Sequence, residues 1–278
     1  MVAKFEQFDL TGRTAVVTGG ATGLGFHMAR GLARSGANVV IAARREDVLK
    51  QACERIRADG NPGSIGWHPT DLADRASTQS LIDHCLSKHG KVDIFVGNAA
   101  ATDGEMIPDI KMDTVDRLMR LNVSANLQLC QGFLPAMKQQ RWGRIILSSS
   151  IGSVMSIPHM GMTTYQTTKG AVNALVMGIA TDYGHQNVTA NSLILGFFRT
   201  DLLETPQKMI AEAQGAAAAK AFIDTFASCN AMGRIADPEE IEGLVRLLAS
   251  DAGSYITGAN LTIDGGMRIM LRPQPVDE

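Results

Sequence analysis

Tyr165 and Lys169 stand four residues apart in the segment YQTTK. On a helix that spacing puts phenol and ammonium on one face, a turn apart. An ammonium beside a phenol favours the phenolate and lowers a pKa that is about 10 when unperturbed. Such a pair gives and takes a proton near neutral pH. Upstream, the stretch Gly143–Lys169 opens as an apolar strand and turns polar at Ser148, Ser149 and Ser150. A serine at that strand end can hold a carbonyl or alcohol oxygen against the tyrosine. A strand end facing a helix start is where an open α/β sheet carries its site.

The elements that must position these groups come from a chain of 278 residues, 45% hydrophobic and 19% charged. No linker or shift in composition divides it, so one large core is expected, a single domain over residues 1–278. The net charge is −2 and no basic stripe stands out, which disfavours nucleic acid and anionic membranes as partners. No apolar run reaches the ~18 residues that span a bilayer, and the N-terminus has no secretion-signal core. Cys53, Cys85, Cys130 and Cys229 are scattered without a CxxC, and the six histidines form no HExxH. A reduced, cytoplasmic protein without a structural metal is expected.

Arg13–Thr18 reads as a first strand, followed at once by GGATGLG and an amphipathic helix to Ser35. Strand, glycine turn and helix form the context of a dinucleotide site. Gly19 makes the tight turn, Gly23 admits a pyrophosphate to the backbone, and Gly25 lets the helix lie close on the strand. With Thr22 and Leu24 they place phosphates before the helix N-terminus. The second strand, Asn38–Ala43, ends where an acid would bond a ribose 2′-OH. Ala43 cannot do so. Arg44, followed by Arg45, offers a guanidinium suited to a 2′-phosphate. NADP(H) is therefore preferred, with NAD(H) as the alternative. Further strands are expected at Ser64–Pro69, Val92–Val96, Val188–Leu195 and Asn260–Ile263. Helices are expected at Glu46–Ala58, Ala73–His89, Thr114–Gln140 and Gln166–Tyr183. Asp71 is a candidate N-cap for the second of these.

Taken in order, TGGATGLG, GNAA (Gly97–Ala100), Asn122 in LNVSAN, the serine run, YQTTK, LGFFRT (Leu195–Thr200) and YITGANLTIDGG resemble the classical short-chain dehydrogenases/reductases. The similarity runs from about Leu10 to Gly266 and extends to gluconate 5-dehydrogenase-like and 3-oxoacyl-reductase-like members. It implies a doubly wound Rossmann-type α/β domain with a seven-stranded parallel sheet, order 3-2-1-4-5-6-7, and helices on both faces. The dinucleotide-binding core would comprise about residues 10–200 and 233–266, with a substrate lid at about 200–232. The resemblance gives Tyr165 as general acid, Lys169 as its neighbour and a ribose ligand, and Asn122 as anchor of a relay water. The oxygen-holding serine aligns on Ser150, with Ser149 as runner-up and Ser148 beneath the nicotinamide.

On the cofactor side it gives Asp71 and Leu72 flanking the adenine, Asn98 bracing the sheet near the ribose, and Ala100 where the family has glycine. Gly196, Phe198 and Thr200 would hold the carboxamide, with Leu195 replacing the family's proline. The loop from Ser150 to Tyr165 exceeds the commonest length. Met155, Met160 and Met162 in it line a pocket or fill the core, and His159 touches substrate or solvent. Family members are usually tetramers or dimers, and the tail LRPQPVDE would lie across a neighbour. The implied reaction is reversible hydride transfer between NADP(H) and a secondary alcohol/ketone pair. A sugar-acid or polyol dehydrogenase, a 3-oxoacyl-thioester reductase and a non-catalytic cofactor-binding protein are the alternatives.

Overall fold

A strand covered on both faces must be apolar at nearly every position rather than at alternate ones. The first strand, β1 (Thr14–Thr18), is apolar at its three central positions, and all five residues are buried. The computed structural model describes residues 6–156 and 160–270. The expectations for His159 and for the tail LRPQPVDE fall outside the described residues.

After β1 come α1 (Gly23–Arg34), β2 (Asn38–Ala43), α2 (Glu46–Ala58), β3 (Ile65–Pro69) and α3 (Arg75–His89). Next are β4 (Ile94–Gly97), α4 (Met112–Met119), α5 (Ala125–Gln140), β5 (Gly143–Ser148) and α6 (Thr163–Tyr183). The chain continues through β6 (Val188–Leu195), α7 (Asp201–Gln214), α8 (Ala216–Ala227), α9 (Glu242–Ala249) and β7 (Asn260–Ile263).

The seven strands form one parallel sheet in the order β3-β2-β1-β4-β5-β6-β7. Alternation across the strands splits the core in two. Val17, Ile41 and Val96 pack with Phe26, Leu49 and Val245 under α1, α2 and α9. Val16, Val40 and Phe95 pack with Leu81, Phe133 and Val172 under α3, α5 and α6. Each buried Leu, Val or Phe contributes roughly 1.5–3 kcal/mol. The strand order reverses direction between β1 and β4, so the loops following these two strands part above their C-terminal ends. That cleft is where ligands enter such sheets.

Three boundaries differ from expectation for identifiable reasons. The segment read as one helix, Thr114–Gln140, is two, joined by a π turn at Arg120–Ser124. Helix α3 begins at Arg75 because Asp74, not Asp71, is its cap: the Asp74 carboxylate accepts from the N–H groups of Ala76 and Ser77. Asp71 makes a local turn instead, accepting from Ala73 N at 2.9 Å. Helix α6 starts three residues earlier than expected and so includes Tyr165 in its first turn.

Candidate active site

The end of β5 and the first two turns of α6 face each other across a short 3-10 turn, Ile151–Ser153. Ser150 opens that turn, its Oγ accepting from Gly152 N at 3.1 Å. The same hydroxyl faces the Tyr165 phenol and favours its ionised form. Lys169 is buried one turn further on, its Nζ donating to Ser148 O at 2.7 Å and lying 5.6 Å from the centre of the Tyr165 ring. Burial lowers the Lys169 pKa to about 8. Burial also pushes the Tyr165 phenol up, and Ser150 offsets part of that rise. The phenol lowered by Lys169, expected from spacing alone, is therefore not what this arrangement gives: desolvation raises it, and the lowering comes from Ser150.

The three serines have separate surroundings. Ser148 donates its hydroxyl to Asn98 Oδ1 at 3.2 Å. Ser149 is buried, donates to Lys169 O at 3.2 Å, and lies 3.1 Å from Ser153 Oγ. Only Ser150, of the three, meets the phenol. Behind them Ser153 donates to Ser150 O at 2.7 Å and accepts from Asn173 Nδ2 at 3.0 Å. Neither Ser153 nor Asn173 carries a signal in the sequence beyond lying one turn from a residue of interest.

Asn122 sits inside the π turn, fully buried. Its Oδ1 accepts from Ala101 N, and its Nδ2 donates to Ala101 O and to Thr168 Oγ1, all at 2.9 Å. Both side-chain N–H groups are thus used, and the amide ties the loop after β4 to α6. Its backbone carbonyl accepts from Asn126 Nδ2 at 2.8 Å. Thr168, which passes the tie on to Tyr165 O at 2.7 Å, was not legible as a site residue.

On the cofactor side, Gly19 and Gly23 have positive φ (65° and 52°). A Cβ on Gly25 would lie 2.1 Å from Gly19 O, so only glycine lets α1 close on the turn. Thr22 precedes α1 without capping it, so the first N–H groups have no side-chain partner there. That is the donor set an anionic pyrophosphate requires. Leu24 packs on the core and orients the turn. Arg44 and Arg45 are exposed and have no ion-pair partner among the described residues. Asn98 Nδ2 donates to Thr18 O at 3.3 Å, bracing β4 to β1 beside the turn. Ala100 is exposed at the loop start, whereas Leu72 is buried in the core beneath α3. Gly196 N donates to Ile263 O, Phe198 is buried, and the Thr200 side chain lies 3.5 Å from where a Gly23 Cβ would sit. The residues present fit a dinucleotide: a glycine cradle, uncapped amides, free guanidiniums and a threonine arm converge on the β1/β4 cleft.

Comparison with known proteins gives the same picture. The family described as enoyl-(acyl carrier protein) reductase matches residues 19–268, nine-tenths of the chain. The chain belongs to the classical short-chain dehydrogenase/reductase family. It is an oxidoreductase of that family. It is 31% identical over 258 residues to oxidoreductase UcpA of Escherichia coli K12, covering 92% of this chain and 95% of that one. It is also 31% identical over 266 residues to gluconate 5-dehydrogenase of Gluconobacter oxydans, covering 96% and 98%. L-sorbose reductase from Gluconobacter frateurii, solved with NADPH and L-sorbose, superposes with a TM-score of 0.90 at 26% identity, covering 95% and 100%.

Gly97 is explained by packing: a Cβ there would lie 2.2 Å from Asn126 Oδ1. Cys53, Cys85 and Cys130 are buried, with thiols pushed up to about 11, 12 and 12 by desolvation, and are unreactive. Among the described residues no group of three or more His, Cys, Asp or Glu is placed to hold a metal, and no helix is long and apolar enough to cross a membrane.

Proposed function

We propose that the protein is an NADP(H)-dependent reductase of ketones, reversible to the secondary alcohol, with Tyr165 as general acid. The observation that carries this reading is the meeting of Ser150, Tyr165 and the buried Lys169 at the end of β5, with Lys169 Nζ 5.6 Å from the centre of the phenol ring. A bound nicotinamide dinucleotide supplies the hydride. The chain's own residues handle the oxygen. A carbonyl oxygen placed between Ser150 Oγ and the Tyr165 phenol receives a hydrogen bond from each. A phenol whose pKa is raised stays protonated at neutral pH and is set to donate, which favours reduction. Ser150 holds the negative charge that develops on that oxygen. Lys169, largely cationic below pH 8, stabilises the phenolate left after donation.

Gly19, Thr22, Gly23, Leu24 and Gly25 would take the pyrophosphate, Arg44 and Arg45 the 2′-phosphate, and Asp71, Leu72, Asn98 and Ala100 the adenosine and ribose side. Gly196, Phe198 and Thr200 would hold the carboxamide, and Asn122 would anchor the relay. The neighbour solved with NADPH supports the cofactor reading. Relatives are named for gluconate and sorbose and also for 3-oxoacyl thioesters, so both substrate classes enter the test. Helices α7 and α8 form the substrate lid, and the chain works in the cytoplasm as a homotetramer or homodimer. Leu127 on α5 and Met177 on α6, 45% and 50% exposed, support a shared α5–α6 face.

The test is oxidation of NADPH, then NADH, with L-sorbose, 5-ketogluconate and a 3-oxoacyl thioester, comparing wild type with Tyr165→Phe. Reduction of a ketone with NADPH, lost in the variant while NADPH still binds, is the expected result. Unchanged turnover in Tyr165→Phe would reject the assignment.

A further inference from the structure

Helix α6 carries both Tyr165 and Lys169, yet it starts without a cap of its own. The residue before its first turn is Met162, whose side chain accepts nothing. Its backbone, at φ −104° and ψ 21°, is not in the extended conformation from which a capping side chain reaches forward. The N–H of Tyr165, third in the helix, is among the donors that a helix start leaves unserved. It donates to Asp103 Oδ1 at 3.3 Å, across 62 positions of sequence. The other carboxylate oxygen of Asp103 is buried and has no hydrogen-bond partner. The bond to α6 is therefore the one this carboxylate makes among the described residues.

The loop around Asp103 is docked at two more points. Ala101 is held at both N and O by Asn122, whose amide also reaches Thr168 on α6. Gly161, just before α6, has φ 61°, and a Cβ there would lie 2.5 Å from Gly104 O. Two side-chain ties and one backbone contact thus lock the segment 101–105 onto the first turns of α6. A carboxylate at a helix N-terminus also interacts favourably with the helix dipole.

We propose that Asp103 is a positioning residue, a cap supplied from the loop after β4 that fixes the first turn of α6 and with it the phenol of Tyr165. Its consequence for turnover rests on the catalytic role given to Tyr165 above. The cap itself does not.

Amide hydrogen exchange on the full chain tests the cap without substrate. Asp103→Ala raises exchange in the segment 163–166 by about fivefold, with α2 unchanged. Asp103→Asn, which keeps an acceptor oxygen, returns it to within about twofold of wild type. Asp103→Ser, polar but too short to reach the amide, serves in place of the alanine variant should that not fold. Exchange in 163–166 unmoved by alanine or serine overturns the proposal. In kinetics with the ketone found above, Asp103→Ala lowers kcat about tenfold while KM and the NADPH dissociation constant stay within twofold, and Asp103→Asn restores kcat. Should Tyr165→Phe retain turnover, the functional reading fails while exchange still judges the cap. Should Tyr165→Phe be inactive and Asp103→Ala exchange normally, only the cap fails.

Discussion

Two cations are buried among the described residues, at opposite ends of β5, and they are held differently. Arg144, near the strand's start, is 0% exposed and donates to Gly143 O, Asn187 O, Ser250 O and Asp251 Oδ1. Its guanidinium also stacks on Trp142, whose ring takes Arg13 as well. Lys169, beside the strand's end, is 3% exposed and has one partner in the described structure, Ser148 O. Burial lowers both pKa values, to about 10 for Arg144 and about 8 for Lys169. Arg144 stays charged at every physiological pH and serves the fold. Lys169 is left with N–H groups to spare and a titration within reach of neutrality. A saturated cation is structural; an under-partnered one is available for chemistry.

The contrast breaks if each cation does the other's work. Lys169→Met should cut turnover about 100- to 10,000-fold, read by NADPH oxidation, with the fold intact. Arg144→Met should instead leave three carbonyls without their donor and cost about 2–4 kcal/mol in urea denaturation. Its turnover, measured while folded, should stay near wild type.

Two smaller effects sharpen the comparison. In the unfolded chain a lysine keeps its proton to about pH 10.4, whereas folded Lys169 releases it near 8. Between those values the unfolded state binds more protons, so stability rises with pH. Lys169→Met should therefore be more stable than wild type at pH 7, on the order of 1–2 kcal/mol after the lost bond to Ser148. That gain should shrink as pH climbs from 8 towards 10, as thermal melts would register. Ketone reduction by wild type should likewise decline above about pH 8 as the ammonium is lost.

The smallest effect lies on the acid side. His68 and His84, with rings 4.8 Å apart, and His89 all have pKa values lowered, chiefly by burial. Below about pH 6.5 the unfolded chain takes up protons that these side chains refuse in the fold. Melting temperature should fall as pH drops through that window, and the slope should flatten in His68→Gln/His84→Gln.

Much of the fold was legible because its signals are local. A strand buried on both faces writes itself as an unbroken apolar run, as in Ala15–Val17 at the centre of β1. Gly25 is dictated by Gly19 O in the same turn, which a Cβ there would approach to 2.1 Å. The partners of Tyr165 followed the same rule: Lys169 is one helical turn off and was readable, whereas Asp103 is 62 positions away and was not. The choice between Asp71 and Asp74 as cap depended on a boundary that two nearby aspartates leave open. The direction of the phenol's shift was misread because spacing reveals a neighbour but not desolvation. The π turn has no sequence signature, so Arg120–Ser124 passed as ordinary helix.

That turn has a consequence for how the chain tolerates change. A π turn is a helix holding one residue more than its winding needs. Excising one residue from 120–124 would let the backbone close as regular α-helix and leave α4 and α5 near their present phase, because the wider turn absorbs the extra residue. Leu118 would stay in the interior, but the amide at 122, which grips Ala101 and Thr168 from within the widened turn, would be removed or displaced. The surplus residue serves the grip at 122 rather than the packing of the two helices, so shortening the chain there should spare the fold and loosen the loop after β4 from α6.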